Sequence, residues 1–289
     1  MILVTGASGT AGGATLDALR ILDAPVKALY RSLDSAKNAP AGVTAAIGDY
    51  GDESLSAALK GVDKVFLVCG PVPDLVKLES IAIDGCAEAG VKHLVLFSAL
   101  GAGRYRKSFP AWHTQVEAKL KSSGLAYTIL RPNSFMQHVI TYFAPTIRTQ
   151  SAFYGCMREA KVSLVDIRNV GEFAAKTLTT SGHEGKTYEL NGPEAFTYAE
   201  VASLISSMVG RQVNYVDLTP DQIRQSLLST GMPQWQADAL VDLQAYYTEG
   251  GGGDIDDGTI ARVIGHPQTQ LRDFIAENRN EFTSQAMSA

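Results

Sequence analysis

The chain has little charge, few cysteines and no long hydrophobic run. Charged residues make up 19% of its 289 residues, below the ~25% that is usual for globular domains, and neither sign forms a block. The longest apolar run, residues 65–69, is far too short to span a bilayer. With 25 basic and 30 acidic residues the net charge is −5, which argues against a general nucleic-acid binder. We therefore expect a folded chain with neither a membrane span nor a nucleic-acid partner.

The three cysteines, Cys69, Cys86 and Cys156, show no CxxC spacing, and the five histidines show no metal-ligand spacing. An odd number of cysteines without such spacing is typical of a reducing compartment. The opening residues MILVTG lack the basic stretch and the separate apolar segment of a secretory signal. We therefore expect a cytoplasmic protein whose cysteines are small buried hydrophobic residues, and we expect no bound metal.

Short apolar runs alternate with amphipathic stretches up to residue 132. This alternation is typical of parallel strands joined by crossover helices, and right-handed crossovers then predict a doubly wound sheet. The predicted strands are residues 2–5, 26–30, 43–48, 65–69, 94–98 and 127–130, and the predicted helices are residues 10–22, 52–59, 75–89 and 112–122.

Beyond residue 132 the pattern loosens. Strands at 161–165 and 187–190 and a helix at 170–178 are predicted to return to the sheet, and helices follow at 196–209, 220–228 and 235–248. The predicted fold class is α/β, a doubly wound parallel Rossmann sheet with a smaller, mostly helical C-terminal substrate part. The predicted domains are residues 1–155, with sheet returns at 161–191, and a capping part at 192–289. Residues 250–253 are four glycines, expected to form a flexible surface loop or a mobile lid, and the polar tail 283–289 is expected to be frayed.

The most informative of the 27 glycines follow the first predicted strand. Residues 6–13 are Gly-Ala-Ser-Gly-Thr-Ala-Gly-Gly and open the first predicted helix. Such glycines allow a tight turn, let backbone N–H groups approach a pyrophosphate and let helix and strand pack closely. This pattern predicts a dinucleotide site, the alternative being a glycine-rich turn without a ligand. Its predicted residues are Gly6, Ser8, Gly9, Thr10, Ala11 and Gly12.

The residue after the second predicted strand indicates which dinucleotide binds. An enzyme that uses the unphosphorylated cofactor usually has an acid there, but this chain has Arg31, and its first acid is Asp34. Because a guanidinium suits a 2′-phosphate, and Lys37 adds charge, we predict NADP(H) as the cofactor; the alternative is that Arg31 is a solvated loop residue. Asp49 closes the third predicted strand, either accepting from the adenine amino group or lying in solvent.

Five segments together resemble a known family. They are TGASGTAG near the start, LVLFSALGAG at 94–103, HTQVEAKLKSSGLAYTILRPNSFMQ at 113–137, VDIRNVGEFAA at 165–175 and FTYAEVASLISSMVGRQVNY at 196–215. The set is similar to the NmrA-like branch of atypical short-chain dehydrogenases, in particular to bacterial NADPH-dependent quinone reductases and triphenylmethane-dye reductases. The resemblance implies hydride transfer to a quinone or a similar small, electron-poor aromatic acceptor. That family also includes regulators, so a non-catalytic NADP(H) sensor that acts through a protein partner is the alternative; a homodimer is left open.

The resemblance also locates candidate catalytic residues. Ordinary short-chain dehydrogenases use a serine and a Tyr-x-x-x-Lys pair, whose lysine lowers the pKa of the tyrosine. Ser98 falls at the serine position, but His113 and Glu117 stand where the tyrosine and lysine would be, and a carboxylate cannot take the place of that lysine. We therefore expect no ordinary alcohol–ketone mechanism. His113 and Glu117 are expected to form a proton donor with its orienting partner, or a hydrogen-bonded pair that pins the helix. Tyr105, in a glycine-rich loop, is a further candidate or a solvated residue.

Two more segments are predicted to line the site. Cys69, Gly70 and Pro71 close the fourth predicted strand, where a doubly wound fold places its ligand crevice. By resemblance, the residues after the sixth strand border the cofactor and the substrate pocket, namely Pro132, Asn133, Ser134 and Phe135. Large side chains follow, expected to be mainly core with part facing a flat aromatic substrate: Phe135, Met136, Tyr142, Phe143, Phe153 and Tyr154.

Overall fold

The structure is a computed structural model that describes residues 1–51 and 53–283. Its strands are β1 (Ile2–Val4), β2 (Val26–Tyr30), β3 (Thr44–Ile47), β4 (Lys64–Leu67), β5 (His93–Phe97), β6 (Tyr127–Pro132), β7 (Ala152–Gly155), β8 (Lys186–Leu190) and β9 (Asn214–Asp217). The predicted helix start at Asp52 and the predicted tail after residue 283 lie outside the described residues.

The helices follow the predicted alternation with the strands. They are α1 (Thr10–Ile21), α2 (Leu33–Ala36), α3 (Glu53–Leu59), α4 (Leu75–Glu88), α5 (Ser108–Ser122), α6 (Ala144–Gln150), α7 (Ile167–Thr179), α8 (Tyr198–Val209), α9 (Pro220–Ser229), α10 (Gln234–Thr248), α11 (Thr259–Ile264) and α12 (Leu271–Glu277). In the described part of the chain, no helix combines the length and the apolar character that crossing a membrane requires.

Seven strands form one sheet in the order β3-β2-β1-β4-β5-β6-β8, and every neighbouring pair is parallel. Leu3 of β1 lies opposite Lys27 on one side and Val65 on the other. The sheet therefore grows in one direction from β1 to β3 and in the other from β4 onward. Ligands of such folds bind at the carboxyl ends of the strands beside this switch point. The predicted doubly wound α/β fold is confirmed.

Apolar side chains cover both faces of this sheet. On one face Leu3, Val65 and Leu94 belong to a core that also contains buried side chains of α3, α4 and α5. On the other face α1 packs against α7, and a Cβ on Gly171 would lie only 2.6 Å from the carbonyl carbon of Ala14. Burial on both faces explains why the inner strands β1, β4 and β5 are nearly continuous apolar runs rather than alternating ones, whereas the edge strands β3 and β8 are more exposed.

By its contacts the chain divides into two compact units. The first consists of Met1–Pro132, Ile167–Leu190 and Ile260–His266, and the second of Asn133–Asp166, Asn191–Thr259 and the described residues from Pro267 onward. The second unit contains α8, α9 and α10 and a two-stranded parallel sheet of β7 and β9. The sequence pattern did not predict β7, a strand of four residues.

Residues 161–165 do not return to the large sheet, so this part of the prediction is wrong. Val162 and Val165 instead form isolated bridges within the second unit. The backbone N–H of Ser163 donates to the carbonyl of Gly252, and its hydroxyl donates to the carbonyl of Gly192. These groups are therefore bound to loops and not to a neighbouring strand. The predicted return at 187–190 is confirmed as β8, which pairs with β6.

The glycine run at 250–253 is a packed loop of the second unit. A Cβ on Gly251 would lie 2.2 Å from ring atoms of Tyr246, and one on Gly252 would lie 2.4 Å from the ring of Tyr247. Side chains at these positions would displace both tyrosines. The middle of the run, Gly251 and Gly252, is therefore closely packed, in place of the flexible segment expected from composition, whereas a Cβ on Gly250 would meet no described atom within 4 Å.

Candidate active site

The turn after β1 can be built only with glycine at two of its positions. Gly6 has a φ of +57°, and a Cβ there would lie 2.9 Å from the carbonyl oxygen of Val68. A Cβ on Gly12 would lie 2.2 Å from the carbonyl oxygen of Gly6, so α1 rests directly on the turn. Gly9 caps α1 with extended backbone, and no side chain of the described residues caps this helix. The first N–H groups of α1 are therefore available to an anion.

The residues around this helix end are accessible. Ser8, Gly9 and Thr10 are exposed, whereas Ala11 and Gly12 are buried. The first turn of α1 contains no acidic residue among those described, so no carboxylate opposes the positive end of the helix dipole. The turn thus fits the pyrophosphate of a dinucleotide.

Arg31, Asp49 and Cys69 follow the ends of β2, β3 and β4, close enough that the charges of Arg31 and Asp49 shift the pKa of the Cys69 thiol. Burial, with smaller contributions from the Glu79 and Asp49 carboxyl groups and an opposing one from Arg31, raises the pKa of the Cys69 thiol to about 12. Arg31 and Asp49 are exposed, so both can reach a ligand at this edge.

Nearby residues leave this edge open. A Cβ on Gly70 would meet no described atom within 4 Å, and Pro71 is exposed. The charge expected from Lys37 is partly neutralised, because its ammonium lies 2.8 Å from the Asp34 carboxylate. Arg31 is therefore the better placed of the two cations for a 2′-phosphate.

Ser98 and Glu117 meet at the end of β5, as members of a buried polar network. The Ser98 hydroxyl donates to Glu117 Oε1 at 2.7 Å. Arg131 of β6 donates from Nε to Oε1 at 2.8 Å and from Nη2 to Oε2 at 2.6 Å. Although burial raises the pKa of Glu117, the hydrogen bonds from Arg131 and Ser98 hold it below its usual range. Glu117 is thus a carboxylate in a bidentate ion pair.

This network changes the expected role of Glu117. Both roles expected of Glu117, to orient His113 as a proton donor or to pin the helix by a hydrogen bond to His113, require a carboxylate oxygen that binds His113. The oxygens of Glu117 instead accept from Ser98, Arg131 and Lys121. Because Ser98 gives its one hydroxyl proton to Glu117, it can only accept a hydrogen bond from a ligand. The His113–Glu117 pair is therefore replaced by a Ser98–Glu117–Arg131 network.

His113 faces a different carboxyl group, Glu79 of α4. Nδ1 of His113 lies 3.9 Å from Oε2 of Glu79, and the two residues are 7% and 0% exposed. The other Glu79 oxygen accepts the backbone N–H of Cys69 at 3.0 Å. Burial raises the pKa of Glu79 to about 8 and lowers the pKa of His113 to about 4. Both groups are therefore uncharged at neutral pH.

Sequence reasoning did not select Glu79 or Arg131. Glu79 had a signal, because it is an acid on the buried face of α4, between Leu75 and Ile83. Arg131 had a weaker one, as a charged residue in an otherwise apolar strand. Tyr105 is half-buried, and its backbone N–H donates to the Gly101 carbonyl; its catalytic role stays a prediction.

In the second unit, Asn133 is buried and ties three segments together. Its Nδ2 donates to Asn191 Oδ1 and to the Gly252 carbonyl, both at 3.0 Å, and its Oδ1 accepts the N–H of Ser134 at 2.8 Å. Pro132, the preceding residue and the last of β6, is buried in the first unit. Asn133 thus has a structural role, and its contact with a ligand stays a prediction.

The large side chains after Asn133 divide into core and surface. Phe143 stacks on Phe153 with ring centroids 4.2 Å apart, and both are buried. The ring of His138 instead lies between Phe135 and Tyr142, with centroids at 5.0 and 5.2 Å, and Tyr142 is 46% exposed. Met136 is also buried, and Tyr154 is half-buried with its hydroxyl on Gln150. The partly exposed rings are the part of this cluster that can meet an aromatic ligand.

Three known proteins of similar sequence or structure are reductases. The NAD(P)H azoreductase of Xenophilus azovorans is 37% identical over 277 residues, which are 95% of this chain and 96% of that enzyme. The NADPH-dependent quinone oxidoreductase of Escherichia coli, solved with NADPH, is 31% identical with a TM-score of 0.89, over 96% of this chain and 99% of that chain. The triphenylmethane reductase of Citrobacter sp., solved with NADP(H), is 25% identical with a TM-score of 0.86, over 96% of this chain and 100% of that chain.

The family model of the NmrA-like family matches residues 1–273. The match includes the glycine turn, the Ser98–Glu117–Arg131 network and the Glu79–His113 pair described above. The resemblance seen in the sequence motifs is thereby confirmed: the chain belongs to the NmrA-like family.

Proposed function

We propose that the protein is an NADPH-dependent reductase that transfers hydride to quinones or similar small, electron-poor aromatic acceptors. The observation that carries this is the turn from Gly6 to Gly12, where only glycine fits at these two positions and no side chain of the described residues caps α1. When bound, NADPH supplies the hydride. The similarity to azo, quinone and triphenylmethane reductases supports an enzyme over a non-catalytic cofactor sensor.

The residues of the first unit suit the separate parts of NADPH. The backbone N–H groups of Thr10, Ala11 and Gly12, the first of α1, would bind the pyrophosphate; the N–H of Gly9 already donates to the Gly6 carbonyl. Arg31 would bind the 2′-phosphate, and Asp49 would accept from the adenine amino group. Cys69, Gly70 and Pro71 would line the nicotinamide side, because they follow the strand beside the switch point.

The polar network leaves neither Ser98 nor Glu117 available as the proton donor that the ordinary alcohol–ketone chemistry of short-chain dehydrogenases requires. Glu117 is held as an anion by Arg131, and Ser98 donates its proton to it. Neither group can then protonate a developing alkoxide. Binding and orientation against an electron-poor acceptor supply most of the rate enhancement, since a positioned bimolecular reaction gains on the order of 7 kcal/mol.

The test is steady-state oxidation of NADPH with a panel of quinones, azo dyes and cationic triphenylmethane dyes, with a control lacking acceptor. Turnover with at least one class is the expected result. Tight binding of NADPH without turnover of any acceptor would favour the sensor. The cytoplasmic location predicted from the cysteine pattern and the homodimer remain predictions, for cell fractionation and sedimentation respectively.

A further inference from the structure

The facing atoms of Glu79 and His113 are buried, but no hydrogen bond to a described residue explains why two polar groups are placed there. Glu79 Oε2 and His113 Nδ1 are both buried without a hydrogen-bond partner among the described residues, and they lie 3.9 Å apart. This distance is too long for a hydrogen bond. Buried polar atoms without partners are rare in native proteins and often mark a functional group. Two such atoms that face each other therefore require an explanation.

Among the described residues, no cation acts on the pKa of either member of this pair. Glu79 accepts one hydrogen bond, from the N–H of Cys69, and the titratable groups electrostatically coupled to it are the Cys69 thiol and the Tyr50 phenol. The charged group facing His113 is Glu117, whose carboxylate is bound to Arg131. Glu79 therefore holds a proton at neutral pH, and His113 is a neutral imidazole with Nδ1 free to accept one.

We propose that Glu79 and His113 form a buried proton relay that delivers one proton to the acceptor, with Glu79 the reserve and His113 the donor. This inference rests on the proposed reductase function. A side-chain rotation that moves either Oε2 of Glu79 or Nδ1 of His113 by about 1 Å toward the other atom brings the two within hydrogen-bond distance. Glu79 is 0% exposed and would act on the acceptor only through His113, so it is a positioning residue.

The relay balances as a proton transfer. The Nε2–H bond of His113 breaks and an O–H bond forms on the oxyanion of the reduced quinone. At the same time the Oε2–H bond of Glu79 breaks and an Nδ1–H bond forms on His113. Solvent then protonates Nε2, the Nδ1 proton returns to Glu79, and both residues are restored. The net proton comes from solvent, and no electrons pass through either residue.

The relay divides acceptors into two chemical classes. A quinone or an azo group needs a proton besides the hydride, whereas a cationic triphenylmethane dye becomes neutral on accepting hydride alone. Glu79 should therefore be required for the first class and dispensable for the second. This difference separates the relay from a structural role, which would affect both classes equally.

The test compares Glu79→Gln with the wild-type protein, using 2-methyl-1,4-naphthoquinone and the cationic dye malachite green as acceptors. Glutamine keeps the acceptor for the Cys69 N–H but has no acidic proton. We expect quinone kcat at pH 7 to fall by about 100-fold, the lower end of what general acid catalysis contributes, and dye kcat to stay unchanged. Glu88→Gln, an exposed glutamate of the same helix, is the matched control and should leave both rates unchanged.

The pH profile gives the second arm of this test. Wild-type quinone kcat should fall as the pH rises through about 8, the pKa of Glu79, while dye kcat shows no such step. Equal losses for the two acceptors in Glu79→Gln, or no loss for the quinone, would overturn the relay. In either case dye turnover would leave the reductase function standing, whereas no turnover of any acceptor by the wild-type protein would refute the function itself.

A spectroscopic measurement on the free protein needs no turnover. At pH 7 the infrared spectrum should contain the carbonyl band of a protonated carboxylic acid that titrates near pH 8 and is missing in Glu79→Gln. Nitrogen NMR of labelled histidine should place the His113 proton on Nε2. Absence of the carboxylic acid band at pH 7, or a proton on Nδ1, would overturn the relay.

Discussion

Replacing Glu79 with glutamine should change how stability depends on pH. Burial raises the pKa of Glu79 to about 8 from an ordinary value of 4.5, so between these values the folded chain holds a proton that the unfolded chain has lost. Stability then falls as the pH rises, by about 1.4 kcal/mol per pH unit. Burial lowers the pKa of His113 from 6.5 to about 4. The contribution of His113 to the pH dependence of stability has the opposite sign, because here the unfolded chain binds the extra proton. This contribution is confined to pH values below about 6.5, the ordinary pKa of histidine.

Between pH 6.5 and pH 8, the pH dependence of the stability difference between the wild-type protein and Glu79→Gln therefore reports the ionisation of Glu79 without a contribution from His113. Over these 1.5 units the wild-type protein should lose about 2 kcal/mol of unfolding free energy relative to Glu79→Gln. Below pH 6.5 the opposing contributions of Glu79 and His113 should nearly cancel in the wild-type protein. Burial also lowers the pKa of His138 to about 4, so both proteins should become more stable as the pH rises toward 6.5. The variant should gain more steeply, by about 1.4 kcal/mol per pH unit.

The assay is urea unfolding followed by circular dichroism at pH 6.5, 7.2 and 8, with Glu88→Gln as the control. Glu88 is exposed on the same helix, so its variant should follow the wild-type curve. Parallel curves for the wild-type protein and Glu79→Gln across this interval would show that Glu79 is ionised in the folded state. That result would refute the assignment of Glu79 as a neutral, buried acid.

Three further substitutions test the rest of the site. Gly12→Ala places a Cβ 2.2 Å from the carbonyl oxygen of Gly6 and should abolish NADPH binding in titration calorimetry. In the control Gly13→Ala the nearest atom to the new Cβ is 3.6 Å away, so NADPH binding should be retained. Equal affinities of the two variants would contradict the turn geometry. Arg31→Ala should weaken NADPH binding by about 1.5–3 kcal/mol, as expected for hydrogen bonds to a charged group, and leave NADH binding unchanged; equal losses for both would remove the 2′-phosphate contact. Glu117→Ala leaves Arg131 partly buried without its bidentate partner and should cost about 3–5 kcal/mol in urea unfolding; a loss below about 1 kcal/mol would mean that the ion pair contributes no more than a surface pair.

The sheet was predictable because its signals are local. The inner strands β1, β4 and β5 are mainly apolar runs followed by turn residues, and β2 was predicted at its observed bounds, Val26–Tyr30. The run at 161–165 has the same apolar character, but Ser163 binds loop carbonyls, and no local pattern distinguishes a strand from such a loop. The same holds for β7, which exists through its pairing with β9.

The site residues likewise divide into those with a local sequence signal and those whose partners are distant in sequence. Gly6 and Gly12 could be predicted because a turn directly after a strand needs positive φ and close backbone contact within a few residues. The partner of Glu117 could not, because Arg131 reaches it only when β6 is paired with β5. Glu79 meets His113 through the packing of α4 on α5, a contact that helical periodicity does not specify. Partners that are distant in the sequence are thus the part of the site that could be identified only from the structure.

Single turnover with stereospecifically deuterated NADPH tests the central claim most directly. NADPH deuterated at C4 of the nicotinamide is bound to the protein, mixed with malachite green without other reductants, and the reduced dye is analysed by mass spectrometry. Direct hydride transfer predicts that deuterium from one of the two C4 positions appears on the central carbon of the product, at a rate that accounts for steady-state turnover. Tight binding of NADPH with no reduced dye, or reduced dye without deuterium from either position, would contradict the account.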